Sequence, residues 1–221
     1  MSIVGQNWTK LHKLSKYGGE SLKLDLEKRN DIGTRRTLRI FADSMTALLC
    51  RKSFEELTIR DICNESMIPR STFYNYFEDK YDLLDWYLGA VFEDILRENS
   101  GYSFDALVNG TALSFRYLDD HAAVLSAVFR KNTEEGFLYR SLEIHFFESM
   151  KQTFIDCDHR ENLRYPPELT AQFCAAVLWS LFETKLRTLG TAAAMTIKEA
   201  EQFLADAINY RALGMVYMQT D

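Results

Sequence analysis

Proline is scarce in this 221-residue chain: only Pro69, Pro166 and Pro167 occur. Helices are therefore free to run almost throughout, and no segment alternates apolar and polar residues over the length of a strand. Cysteine is sparse too. Cys50, Cys63, Cys157 and Cys174 stand far apart with no Cys-x-x-Cys pair, which favours reduced thiols packed as small apolar groups over a metal or redox centre. Long apolar runs are missing. Stretches such as CAAVLWSLF at 174–182 stop far short of the roughly 20 residues that cross a bilayer. The opening MSIVGQNWTKLHKL carries no apolar signal core, so the expectation is a cytoplasmic chain without membrane contact.

Catalytic patterns are absent as well. There is no Gly-rich phosphate loop, and no Ser, His and Asp set emerges from spacing. His12, His121, His145 and His159 are isolated, and Cys157-Asp158-His159 has the wrong spacing for a helical metal pair. The expectation is no enzyme, no metal and no cofactor.

What the chain has is apolar content of 47% beside 26% charged residues, enough for one substantial core or a small domain joined to a larger one. Its charge is uneven. Residues 1–39 hold nine Lys or Arg against four Asp or Glu, residues 40–82 hold five against eight, and residues 83–221 hold 12 against 20. A basic front and an acidic rear, within a net charge of -6, suit a front end that meets a polyanion.

From Thr34 to about Cys50 the residues Leu38, Phe41, Ala42, Met45, Leu48 and Leu49 recur at helical spacing and form one apolar stripe. In LTIRDI, at 57–62, Thr58 followed by Asp61 is a capping box with the shorter acid. It predicts a helix from Ile59 to about Ser66, ended by the approach of Pro69. Pro69 then suits the first turn of another helix, the aromatic stretch RSTFYNYFEDK at 70–80. At about 100° per residue its residues divide by face. Phe73 and Phe77, with part of Tyr76, turn toward the first helix, and Arg70, Ser71, Tyr74 and Asn75 turn outward.

Two short helices across a tight turn, the second showing Arg, Ser, Tyr and Asn, have the form that enters a DNA major groove. Arg suits a guanine edge, Asn an adenine, and hydroxyls a phosphate or base. An ordinary helical hairpin whose polar face meets water has the same spacing.

The run TRRTLRIFADSMTALLCRKSFEELTIRDICNESMIPRSTFYNYFEDKYDLL, residues 34–84, resembles the amino-terminal DNA-binding domain of the TetR family of bacterial transcriptional regulators. The shared marks are a first helix ending before a Ser-Phe turn, the Thr-Ile-Arg-Asp-Ile start of the second helix, the Ser-Thr-Phe-Tyr-Asn-Tyr-Phe recognition segment and a lysine soon after it. The resemblance implies an all-α protein with a three-helix DNA-binding domain at 34–80. A linking helix from about Asp79 to Asn99 would lead into a helical regulatory and dimerisation domain at 81–221. It also implies that Arg70, Ser71, Tyr74 and Asn75 face bases and nearby backbone, and that Thr58, Tyr76 and Lys80 contact phosphates. Two positions depart from the family pattern. Met67 stands where glycine is frequent in the turn, a strained choice if φ is positive, and Pro69 replaces a Ser or Thr hydroxyl. Ahead of the domain, residues 1–33 form an extension carrying Lys10, Lys13, Lys16, Lys23, Lys28 and Arg29, a candidate backbone or minor-groove arm.

In the rear, helical segments are expected at about 104–119, 121–130, 134–157, 167–189 and 196–214. By resemblance the last two form a four-helix interface in a homodimer, and two recognition helices about one DNA turn apart also favour a palindrome read by a dimer. An apolar or aromatic small-molecule effector is the default ligand, with Phe115, His121, Phe147, Trp179 and Phe182 as candidate pocket residues. The function implied is a homodimeric, ligand-responsive repressor on a palindromic double-stranded operator. The alternative is a protein-interaction adaptor of the same fold without a small-molecule inducer, for which the acidic residues Glu55, Glu56, Asp61 and Glu65 speak.

Overall fold

The computed structural model describes residues 31–96, 104–155 and 163–208, and the described residues contain helices and no strand. The basic arm, His12, Cys157, His159 and the end of the last expected helix lie outside them.

Helix α1 spans Ile32–Leu49, starting two residues before the expected Thr34 because Asp31 caps it, its carboxylate accepting from the amides of Gly33 and Thr34 at 2.8 and 3.2 Å. Helix α2 is Ile59–Ser66, α3 is Arg70–Tyr76 and α4 is Lys80–Leu96. All six residues of the α1 apolar stripe are buried. Around Phe41 the rings of Phe73 and Phe77 stand edge-on at 5.6 and 5.7 Å, an arrangement favoured by the ring quadrupoles. Phe77 in turn meets Trp86 of α4 at 5.7 Å. The recognition segment is thus fixed through its aromatic side. Tyr87 of α4 reaches α1, its hydroxyl 2.9 Å from that of Thr46. Burial, first of all, pushes the Tyr87 phenol up to about 12.

The backbone between α2 and α3 passes through Met67 in the left-handed region, φ 54° and ψ 27°. This turn takes the positive φ for which glycine is the unstrained residue.

Helices α5 (Phe104–Asp120), α6 (Ala122–Lys131), α7 (Phe137–Ile155), α8 (Pro167–Thr188) and α9 (Ile197–Ala207) follow. Contacts divide the chain into two compact units. The first unit joins the described residues up to Asp94 to Ala123–His145, so most of α6 and the start of α7 belong to the same unit as the helix-turn-helix. The expected boundary at 80–81 falls inside this unit. The second unit comprises Ile95–Ala122 and the chain from Phe146 onward. Within it, α9 packs against α5 and α8. A buried lysine ties these elements together: Lys185 Nζ lies 2.7 Å from Asp119 Oδ1, donates to the Met195 carbonyl at 2.9 Å and sits over the Phe115 ring at 5.4 Å. Among the described residues no helix is long and apolar enough to cross a membrane, and no group of three or more His, Cys, Asp or Glu side chains could hold a metal.

Candidate nucleic-acid interface

The candidate interface begins at the α2 N-terminus. Thr58 and Asp61 form the full reciprocal capping box, and Asp61 also pairs with Lys52 at 3.0 Å. The Thr58 hydroxyl donates to Asp61 Oδ2 at 2.7 Å, so its proton is directed along the helix end. The bond from Thr58, then that from Lys52, brings the Asp61 carboxyl down to about 2.

On α3 the faces separate as the helical spacing requires. Phe73 is fully buried, as is Phe77 just beyond the helix. Arg70, Ser71, Tyr74 and Asn75 are exposed, Tyr74 by 44%. Tyr76 is half-buried, its ring 6.1 Å from Phe41. Arg70, Ser71, Tyr74 and Asn75 thus form one polar face on a helix whose opposite side is fastened by aromatic contacts. A face of this width and composition presents two donors suited to purine edges and two hydroxyls suited to backbone or base.

Lys80 has a different environment from the one the resemblance implies. Its ammonium donates to the carbonyls of Phe54, Glu55 and Leu57 at 2.9, 3.0 and 2.9 Å. It also lies over the rings of Phe54 and Tyr81 at 4.8 and 5.3 Å. Burial pulls its pKa down, opposed by Glu55 and Asp79. The same turn is held by Asn132, which no sequence signal marked: its side-chain oxygen accepts from the Phe54 amide at 2.7 Å, 78 positions earlier.

The acidic residues Glu55, Glu56, Asp61 and Glu65 are engaged locally. Glu65 pairs with Arg51, Asp61 with Lys52, Glu56 accepts from the Ser53 amide, and Glu55 accepts from the Phe137 amide at 2.6 Å. That last bond is the leading cause that lowers the Glu55 pKa. These carboxylates organise the turn, which weakens their reading as a patch for a protein partner.

Phe147, Trp179 and Phe182 meet in an aromatic cluster with Phe146, Trp179 lying 6.4 Å from Phe147 and 5.6 Å from Phe182. Phe115 lies beneath Lys185, and His121 stacks on Tyr117 at 4.3 Å. In the first unit a cleft of about 440 Å3 is lined by residues including Asp82, Asp85, Phe137 and His145, and His145 Nε2 lies 2.7 Å from Asp85 Oδ1.

A short helix fastened by rings, a tight turn and an outward polar face define a helix-turn-helix domain. Residues 45–85 match the model of the tetR family of bacterial regulatory proteins. The chain is 32% identical over 104 residues to the HTH-type dhaKLM operon transcriptional activator DhaS of Lactococcus lactis subsp. lactis (strain IL1403). That match covers 46% of this chain and 54% of the relative, so the chain spans about half the length of the curated protein it matches. A solved structure named dihydroxyacetone kinase operon activator DhaS superposes with a TM-score of 0.47 at 20% identity, covering 78% of this chain and 92% of that one.

Proposed function

We propose that the chain is a sequence-specific, DNA-binding transcriptional regulator that acts as a homodimer on a palindromic operator. The observation that carries this reading is the exposed set Arg70, Ser71, Tyr74 and Asn75 on a helix anchored by buried Phe73 and Phe77. In a major groove, Arg70 would bond a guanine edge and Asn75 an adenine edge. Ser71, Tyr74 and Tyr76 would supply hydroxyls to bases and phosphates, and the α2 N-terminus at Thr58 would meet a phosphate through its backbone dipole.

The dimer has support of its own in the second unit. Along α8, Leu169, Phe173, Ala176 and Ser180 are all exposed at helical spacing, and Phe203 is exposed on α9. Apolar and small residues in such a row suit close packing against a second copy.

On the sign of regulation, the resemblance implies repression, and the Lactococcus lactis relative is named an activator. A reporter placed behind the operator separates them: repression raises expression when the gene for this chain is deleted, and activation lowers it. An apolar or aromatic effector completes the proposal. The Phe147, Trp179 and Phe182 cluster is where we place it, and a change in Trp179 fluorescence on titration in a Trp8→Phe, Trp86→Phe background would register it.

Tyr74→Ala is the direct test of the reading face. The expected result is weakened binding to the preferred duplex with a smaller gap between preferred and random DNA, and an unchanged gap would count against the assignment.

A further inference from the structure

The turn at 53–57 joins α1 to α2, so its conformation decides where α2, and α3 after it, present themselves. Short-range bonds hold only part of it. Leu57 donates its amide to the Phe54 carbonyl at 3.2 Å, the Ser53 amide donates to Glu56 Oε2 at 3.1 Å and the Glu56 amide to Ser53 Oγ at 3.4 Å, and further restraints come from distant residues of the same compact unit.

Asn132, 2% exposed, uses both ends of its amide. Its oxygen accepts from the Phe54 amide at 2.7 Å, and its nitrogen donates to the carbonyls of Leu49, at 3.2 Å, and Val128, at 2.9 Å. One side chain therefore fixes the end of α1, the start of the turn and the end of α6. Lys80 gathers the carbonyls of Phe54, Glu55 and Leu57, which matches the three protons of an ammonium one for one. The Phe54 ring, itself fully buried, stacks on Phe137 at 5.5 Å, and Tyr81 meets Phe137 edge-on at 4.8 Å. A lysine reaching for a phosphate would have to release three carbonyls and leave the faces of two rings.

We propose that Lys80 and Asn132 are positioning residues that hold the 53–57 turn, and hence the α2 N-terminus, in the geometry that DNA binding needs, and that Lys80 makes no phosphate contact. This rests on the DNA-binding function proposed above. It separates two roles for a cation near DNA. A phosphate contact depends on charge and reach, whereas a clamp depends on three converging protons at one point.

The test uses the full chain and the duplex that the wild-type protein selects from random DNA, with dissociation constants measured across a series of salt concentrations. Lys80→Arg is the discriminating change, since the planar fork serves a phosphate at least as well as an ammonium but cannot aim at three converging carbonyls. A clamp predicts that Lys80→Arg, Lys80→Met and Asn132→Leu each weaken binding by about tenfold or more, the weight of a charged or buried hydrogen bond. The slope of log affinity against log salt should stay at the wild-type value in all three. Retained affinity in Lys80→Arg, or a slope reduced by about 0.9 in Lys80→Met, would overturn the proposal. Should the wild-type protein select no duplex, the DNA-binding reading is what fails. The clamp is then read by hydrogen exchange at the Phe54 and Leu57 amides. Faster exchange in Lys80→Arg and Asn132→Leu supports it, and wild-type protection in both overturns it.

Discussion

Thr58 and Asp61 bond each other in both directions. The Asp61 carboxylate accepts from the Thr58 amide at 2.9 Å, and the Thr58 hydroxyl accepts from the Asp61 amide at 3.2 Å. The pair closes the start of α2 at the point where the proposed interface begins. Because these bonds favour the ionised acid, Asp61 is held at about 2 against an ordinary 3.8. A depressed folded-state pKa gives stability that is present above 3.8 and lost as pH falls through 2. Asp61→Asn should therefore lower the melting temperature at neutral pH, and its difference from wild type should shrink toward nothing near pH 2. A difference that is constant with pH would show that the carboxylate charge plays no part. Thr58→Ala should cost about 1 kcal/mol, as a lost cap does.

Met67 is a second local test. Its side chain is 91% exposed while its φ is 54°, so replacing it sacrifices little packing and relieves a left-handed backbone. Met67→Gly should raise stability by up to about 1 kcal/mol, the relief being partly offset by the greater freedom of glycine in the unfolded chain. The midpoint of urea unfolding measures it, and a lowered midpoint would contradict the argument.

The ion pair in the second unit should respond asymmetrically. Lys185 is 3% exposed in its side chain and Asp119 is 52% exposed. Removing the carboxylate strands a buried ammonium, and Asp119→Ala should cost on the order of 3 kcal/mol. Lys185→Met leaves behind a carboxylate already in contact with water and should cost roughly 1 kcal/mol or less. Equal losses in thermal or urea unfolding would show that the pair is not felt as buried.

The exposed row on α8 makes a prediction about assembly. Phe173→Glu places a charge in the proposed dimer face, and sedimentation should then show monomer at concentrations where the wild type is dimeric. Operator affinity should fall with it, because two half-sites would be read by independent subunits. A variant that sediments as the wild type does would remove α8 from the interface.

The helix-turn-helix is legible in sequence because its signals are local. The Thr58 box and Pro69 bracket α2 from either end, and the alternation of rings with polar residues between Arg70 and Phe77 states which side of α3 is buried. The marks that fail are those whose cause lies far along the chain. Helix α7 was expected from 134 and begins at Phe137, since Gly136 closes a turn on the Thr133 carbonyl at 2.9 Å that periodicity does not register. Asn132 is one polar residue near a helix end until its partner 78 positions away is known. Lys80 shows the same limit, because sequence gives a charge and a short distance from the recognition helix but not the three carbonyls that receive it. The rear aromatics read alike in sequence, and only packing shows that Phe147, Trp179 and Phe182 meet in one cluster.

The outward face of α3 is proposed to read DNA. The measurement that tests it most directly is selection of bound sequences from random duplex DNA at physiological salt, run in parallel with the wild type and with an Arg70→Ala, Asn75→Ala variant. The expected result is an enriched palindrome for the wild type, with preference relaxed in the variant at the positions these two residues contact. No enrichment with the wild type, or the same palindrome with the same discrimination from both proteins, would contradict it.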